Sequence, residues 1–79
     1  MDPFPSLRWP QLRRILEREP LGYGIERQEG SHRKLVAPGR PDLHLSFHDD
    51  QTLPPGLVRK ILVNDVGLSE TEARELLRG

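Results

Sequence analysis

Three histidines are the residues best suited to moving protons in this 79-residue chain: His32, His44 and His48. His32 sits in "EGSHRK", directly after Gly30-Ser31, a pair that reads as a turn, and Arg33 and Lys34 follow it as adjacent cations. A histidine placed just past a turn is a solvated strand residue, a metal ligand or a proton-transfer group. Imidazole suits the last task, because its unperturbed pKa of about 6.5 keeps both protonation forms available near neutrality. His44 and His48 have the spacing H-x-x-x-H, but in a strand four residues span roughly 13 Å, too far for two bonds to one ion. No metal site is therefore expected, and no cofactor. The chain has no cysteine, which excludes thiol nucleophiles, disulfide frameworks and the usual structural zinc sites, and fits a reducing cytoplasm.

These side chains need elements to hold them. Pro10 suits the first turn of a helix, and Leu12, Ile15 and Leu16 recur at three- and four-residue spacing through "PQLRRILERE". Pro20 and the glycines of "PLGYG" end that helix, and Tyr23 and Ile25 open an alternating strand. Gly30-Ser31 supplies the turn, "HRKLVA" the second strand, and "PGRP" breaks it. In "DLHLSFHD" the residues Leu43, Leu45 and Phe47 alternate with His44, Ser46 and His48, so the period of two sends three apolar groups to one sheet face and three polar groups to the other. Leu57, Val58, Ile61, Leu62 and Val66 form a helical stripe closed by Gly67. Ser69 and Glu72 then make a capping box ahead of Ala73, Leu76 and Leu77. The predicted order is α-β-β-β-α-α: an α+β domain with a three-stranded antiparallel sheet, helices on one face and a wet face opposite.

Length allows one domain, residues 1–79, with a shallow site in place of a deep cleft. No window approaches the roughly 18 apolar residues of a membrane span, and the N-terminal "MDPFPSLRW" has no basic segment followed by an apolar run. A soluble, cytoplasmic protein with no membrane partner is expected. Formal charge is zero, 12 Lys+Arg against 12 Asp+Glu, which argues against strong non-specific attraction to polyphosphate. Arg8, Arg13, Arg14 and Arg18 lie near the start of the chain, and Arg33, Lys34 and Arg40 follow the turn. They form either a basic face or an ordinary solvated surface. Trp9, Tyr23 and Phe47 read as core before they read as base-stacking platforms.

Taken together, "GYGIERQEGSHRKLV" with its Gly30-Ser31-His32, the polar-apolar third strand and "LPPGLVRKILVNDVGLSETEARELL" resemble the HicA mRNA interferase family, toxins of toxin–antitoxin pairs. The resemblance runs from Trp9 to Leu77 and includes Leu53, Gly56, Ile61 and Leu62 at the start of the second helix. It implies a double-stranded-RNA-binding-domain-like fold, metal-independent cleavage of mRNA by a single catalytic histidine, His32, and a HicB-like antitoxin as protein partner. Many members carry a second histidine directly after the first; here that place holds Arg33. Ser31, Lys34 and Arg33 are the expected RNA-binding neighbours, and strand alternation makes Lys34, on the face of His32, the better phosphate partner. A non-catalytic RNA-binding or interaction module of the same fold is the alternative.

Overall fold

The computed structural model describes residues 4–78. A two-residue strand β1 (Leu7–Arg8) leads into α1 (Trp9–Glu17), whose first turn is closed where the Gln11 side chain accepts from the Arg8 backbone N–H at 2.9 Å. Pro10 lies in that first turn, where its missing N–H costs nothing. The apolar stripe Leu12, Ile15 and Leu16 is buried, together with Trp9. Tyr23 returns to the helix by donating its N–H to Leu16 at 2.9 Å, and its hydroxyl donates to the Pro41 carbonyl at 2.7 Å.

Three strands follow: β2 (Gly24–Glu29), β3 (His32–Val36) and β4 (Leu43–Ser46), antiparallel in the order β2-β3-β4. Glu29 opposes His32, so Gly30 and Ser31 form a two-residue hairpin loop, and Gly30 takes the positive φ of 59° that such loops require at a central position. Gln28 faces Arg33 and Arg27 faces Lys34; the ladder then slips at Glu26 before Ile25 meets Leu35. On the other side His32 opposes Ser46, Arg33 opposes Leu45, Lys34 opposes His44 and Leu35 opposes Leu43. Leu35, Leu43 and Leu45 are buried, so the core lies on their side of the sheet.

The expected order of elements is present, with two additions. Strand β5 (Thr52–Leu53) pairs with β1, Leu7 opposite Leu53 and Arg8 opposite Thr52, and so ties the chain before α1 to the chain before the second helix. That helix is α2 (Pro55–Arg59), and it continues as a π-helical segment, Lys60–Asp65. Val58, Ile61, Leu62 and Val66 are buried, so the predicted stripe reaches the core despite the wider turn, while Leu57 is half-buried. Gly67, at φ 93°, ends the segment, and Leu68 donates back to the Leu62 carbonyl at 3.1 Å, closing the wide last turn. No helix among the described residues is long and apolar enough to cross a membrane.

The last helix, α3 (Glu70–Arg78), is capped reciprocally: the Glu72 N–H donates to Ser69 Oγ at 3.1 Å, and the Ser69 N–H donates to Glu72 Oε1 at 3.0 Å. That backbone N–H, followed by the Ser69 hydroxyl, holds the Glu72 carboxyl below the usual glutamate range. Ser69→Ala is expected to lower stability by about 1 kcal/mol in urea denaturation. A group with a depressed folded pKa stabilises fully above its unfolded pKa and loses that contribution as pH falls through the folded value. The stability gap between wild type and Glu72→Ala should therefore be widest near neutrality and close on acidification. A gap that persists below the carboxylate titration would assign the effect to packing.

Candidate functional site

On the wet face of the sheet, strand register sets out two cross-strand rows. The row next to the turn is Glu29, His32, Ser46, and the row behind it is Arg27, Lys34, His44. Directly opposed side chains have Cβ atoms about 4.5–5.5 Å apart, so each row brings its three groups within reach of one small ligand. Together the six line an open cleft of about 310 Å³. Glu29, Arg27, His32, His44 and Ser46 are exposed and Lys34 is half-buried. Ser31, half-buried in the turn itself, holds its hydroxyl 3.4 Å from that of Ser46, beside the opposing partner of His32. His48 lies beyond the end of β4 and outside this cleft, its backbone N–H donating to Gln51 at 3.3 Å.

The electrostatics differ from the sequence-based expectation at two positions. Lys34 shares the face of His32, but its ammonium lies 3.1 Å from Glu26 and 3.8 Å from Asp42. Glu26 is the residue that the ladder skips, and this slip is what brings it to Lys34. Much of the Lys34 charge is thus met before any ligand arrives. Arg27 has no carboxylate within ion-pair distance among the described residues, so it is the wet-face cation with its charge unmet. Counting back from a two-residue Gly-Ser loop would have placed Arg27 beside Lys34 and Glu29 beside His32; the skip at Glu26 carries no sequence signal.

Arg33, grouped with the RNA-binding neighbours from sequence, is instead on the core face and only 6% exposed. The physical reason is the alternation itself, reinforced by a set of partners on that side. Its guanidinium stacks over Trp9, 4.9 Å from the ring centroid, and donates to the carbonyls of Phe47 and Ser31 and, at 2.9 Å, to Asp49. Trp9 and Phe47 are themselves tilted against each other, 5.8 Å between centroids. The Ser31 carbonyl also accepts the Phe47 N–H at 3.2 Å. Arg33 therefore pins the turn that carries His32 to the end of β4 and to α1. It is a structural cation and not a surface one.

What this arrangement can do is proton transfer beside an anion. Two exposed imidazoles, a carboxylate, the Ser46 hydroxyl and one unmet guanidinium line this open cleft. No group of three or more His, Cys, Asp or Glu side chains comes together to hold a metal among the described residues.

Fold and site thus define a small α+β domain with the layout of the double-stranded-RNA-binding-like fold and a histidine-bearing polar sheet face. A family profile described as the HicA toxin of bacterial toxin–antitoxin matches residues 9–68, well over half of the chain, and the protein belongs to that family. The matched span begins at Trp9 and includes all six wet-face residues. Neither the curated proteins nor the solved structures give a match.

Burial of Arg33 gives a direct expectation. Arg33→Ala should destabilise the fold by about 2–3 kcal/mol, through the lost charged hydrogen bonds to buried carbonyls. The Asp49 pair adds little, because that carboxylate is 82% exposed. Lys34→Ala should stay within about 1 kcal/mol of wild type, as exposed ion pairs do. Urea midpoints of the two variants check the contrast, and equal losses would contradict it.

Proposed function

We propose that this toxin is an mRNA interferase, a metal-independent endoribonuclease that uses His32 and is silenced by a HicB-type antitoxin. The observation that carries the reading is the position of the motif histidine: exposed, beside a cation, in an open cleft on the sheet face of a HicA-family domain. RNA brings its own nucleophile, the 2′-hydroxyl. Cleavage then needs a group that accepts that proton, positive charge beside the phosphorane and a proton for the departing 5′-oxygen. His32 takes the 2′-proton, and Arg27, with Lys34 behind it, lies where negative charge develops. One positioned base contributes on the order of 10²–10⁴-fold.

A shallow face cannot be shut by a lid, so the antitoxin acts by covering it. Acidic or polar groups laid against Arg27 and Lys34 would compete with RNA for the same cations. A protein that cleaves mRNA works where mRNA is translated, in the cytoplasm. The alternative, a non-catalytic RNA-binding module, is favoured by zero net charge and by the carboxylates already paired with Lys34.

Two experiments decide between them. His32→Ala should abolish growth arrest and RNA cleavage, with EDTA in every assay, while the unfolding midpoint stays within about 0.5 kcal/mol of wild type, as exposed positions usually do. A folded and active Ala variant would remove His32 from the chemistry, and wild-type RNA binding without cleavage would establish the alternative. Arg27→Gln should weaken RNA binding and lower the salt slope, the dependence of log affinity on log salt, by about 1, as expected for one lost phosphate contact. Lys34→Gln should change it less. Salt titrations of both variants read the difference directly, and a larger effect at Lys34 would show that RNA displaces Glu26 and Asp42.

A further inference from the structure

His44 remains unassigned in the reading above, although it shares the cleft of His32. Register places it directly across from Lys34, while His32 faces Ser46. The two imidazoles are therefore diagonal neighbours on adjacent strands and on one face, with backbones about 7–8 Å apart. Both are exposed, and both line the same 310 Å³ cleft. From strand positions that close, both side chains reach toward one phosphodiester seated in the shared cleft.

We infer that His44 is a second catalytic residue of this site, the acid that protonates the departing 5′-oxygen while His32 accepts the 2′-proton. The inference rests on the endoribonuclease reading and deepens it. In the step so assigned, the O2′–P bond forms and the P–O5′ bond breaks. One proton passes from the 2′-hydroxyl to His32, and another passes from the His44 imidazolium to the 5′-oxygen. A 2′,3′-cyclic phosphate and a free 5′-hydroxyl leave, and the two imidazoles have exchanged protonation states.

No other group on the face suits the task as well. Lys34 is nearest, but its ammonium is already engaged by Glu26 and Asp42 and serves as an electrostatic partner. Glu29 is the cross-strand neighbour of His32, not of His44, and Ser46 carries a hydroxyl, a far weaker acid than imidazolium. The charged and titratable groups facing His44 are Lys34 and His32 from β3, Arg27 and Glu29 from β2 beyond them, and Asp42 from its own side of the sheet. Opposite charges are thus mixed around the His44 imidazole.

The test uses the leaving group. An oligonucleotide containing a cleavage site mapped with wild-type protein is prepared with a bridging 5′-oxygen or a bridging 5′-sulfur at that linkage. A thiolate departs without being protonated, so loss of the acid should matter only for the oxygen substrate. His44→Ala is expected to slow cleavage of the oxygen substrate by about 10²-fold or more. On the sulfur substrate it should run close to the wild-type rate, whereas His32→Ala should be slow on both. The pH–rate profile of wild type should be bell-shaped, and His44→Ala should lose its alkaline limb. His44→Ala cleaving the oxygen substrate at the wild-type rate, or impaired equally on both, overturns the assignment while leaving His32 in place. Wild-type protein that yields no cleavage site to map overturns this inference and the endoribonuclease reading together.

Discussion

The hairpin closed by Gly30 and Ser31 opposes Glu29 to His32, and with a side-chain period of two this single pairing decides the face of every neighbour. A slip of one residue would bury His32, Lys34 and His44 and turn Arg33, Leu35 and the leucines of β4 to solvent. The slip is prevented from both directions. On the core side, Leu35, Leu43 and Leu45 belong to an apolar cluster with Leu12, Leu16, Ile61 and Leu62 that a small domain cannot spare. On the turn side, Gly30 accepts a positive φ that few other residues tolerate.

Arg33 shows how the two faces are joined. It occupies a core position, yet its guanidinium donates to the carbonyl of Ser31, the residue immediately before His32. A buried cation needs partners, and here it finds an indole face, two carbonyls and a carboxylate. The same contacts that satisfy the charge hold the turn against Phe47 and, through Trp9, against α1. The wet face is thus anchored from the dry one, with His32 opening β3 directly after a turn tied from beneath.

Zero net charge and an unmatched cation on the sheet are compatible because charge is sorted by position. Arg13 with Glu17, Arg59 with Glu70 and Lys60 with Asp65 are paired on the helices. On the sheet, Lys34 is paired with Glu26 and Asp42, and Arg27 is left with its charge unmet among the described residues. On the proposed function, such a site would attract phosphate locally while the molecule as a whole exerts little long-range pull on RNA, so that contact would depend on fit more than on steering.

Much of this was legible in the residue pattern. Periodicity of 3.6 located α1 and α3, alternation located β3 and β4, and Ser69 with Glu72 marked a capping box, because each of these signals is local and arises from backbone geometry shared by neighbours in sequence. The same alternation already separated His32 and Lys34 from Arg33, and the motif around His32 carried the family. Tertiary structure decided what no local pattern encodes. The pairing of Leu7 with Leu53 joins strands too short to leave a periodic trace, and the π-helical turn at Lys60–Asp65 keeps the same apolar spacing as an α-helix. The skip at Glu26 delivers a carboxylate to Lys34, Asp42 arrives from another segment, and Arg33 finds its partners on α1 and beyond β4. Sequence fixes which groups a strand can show, but whether a charge stands free or is already met depends on residues distant along the chain, and only folding brings those together.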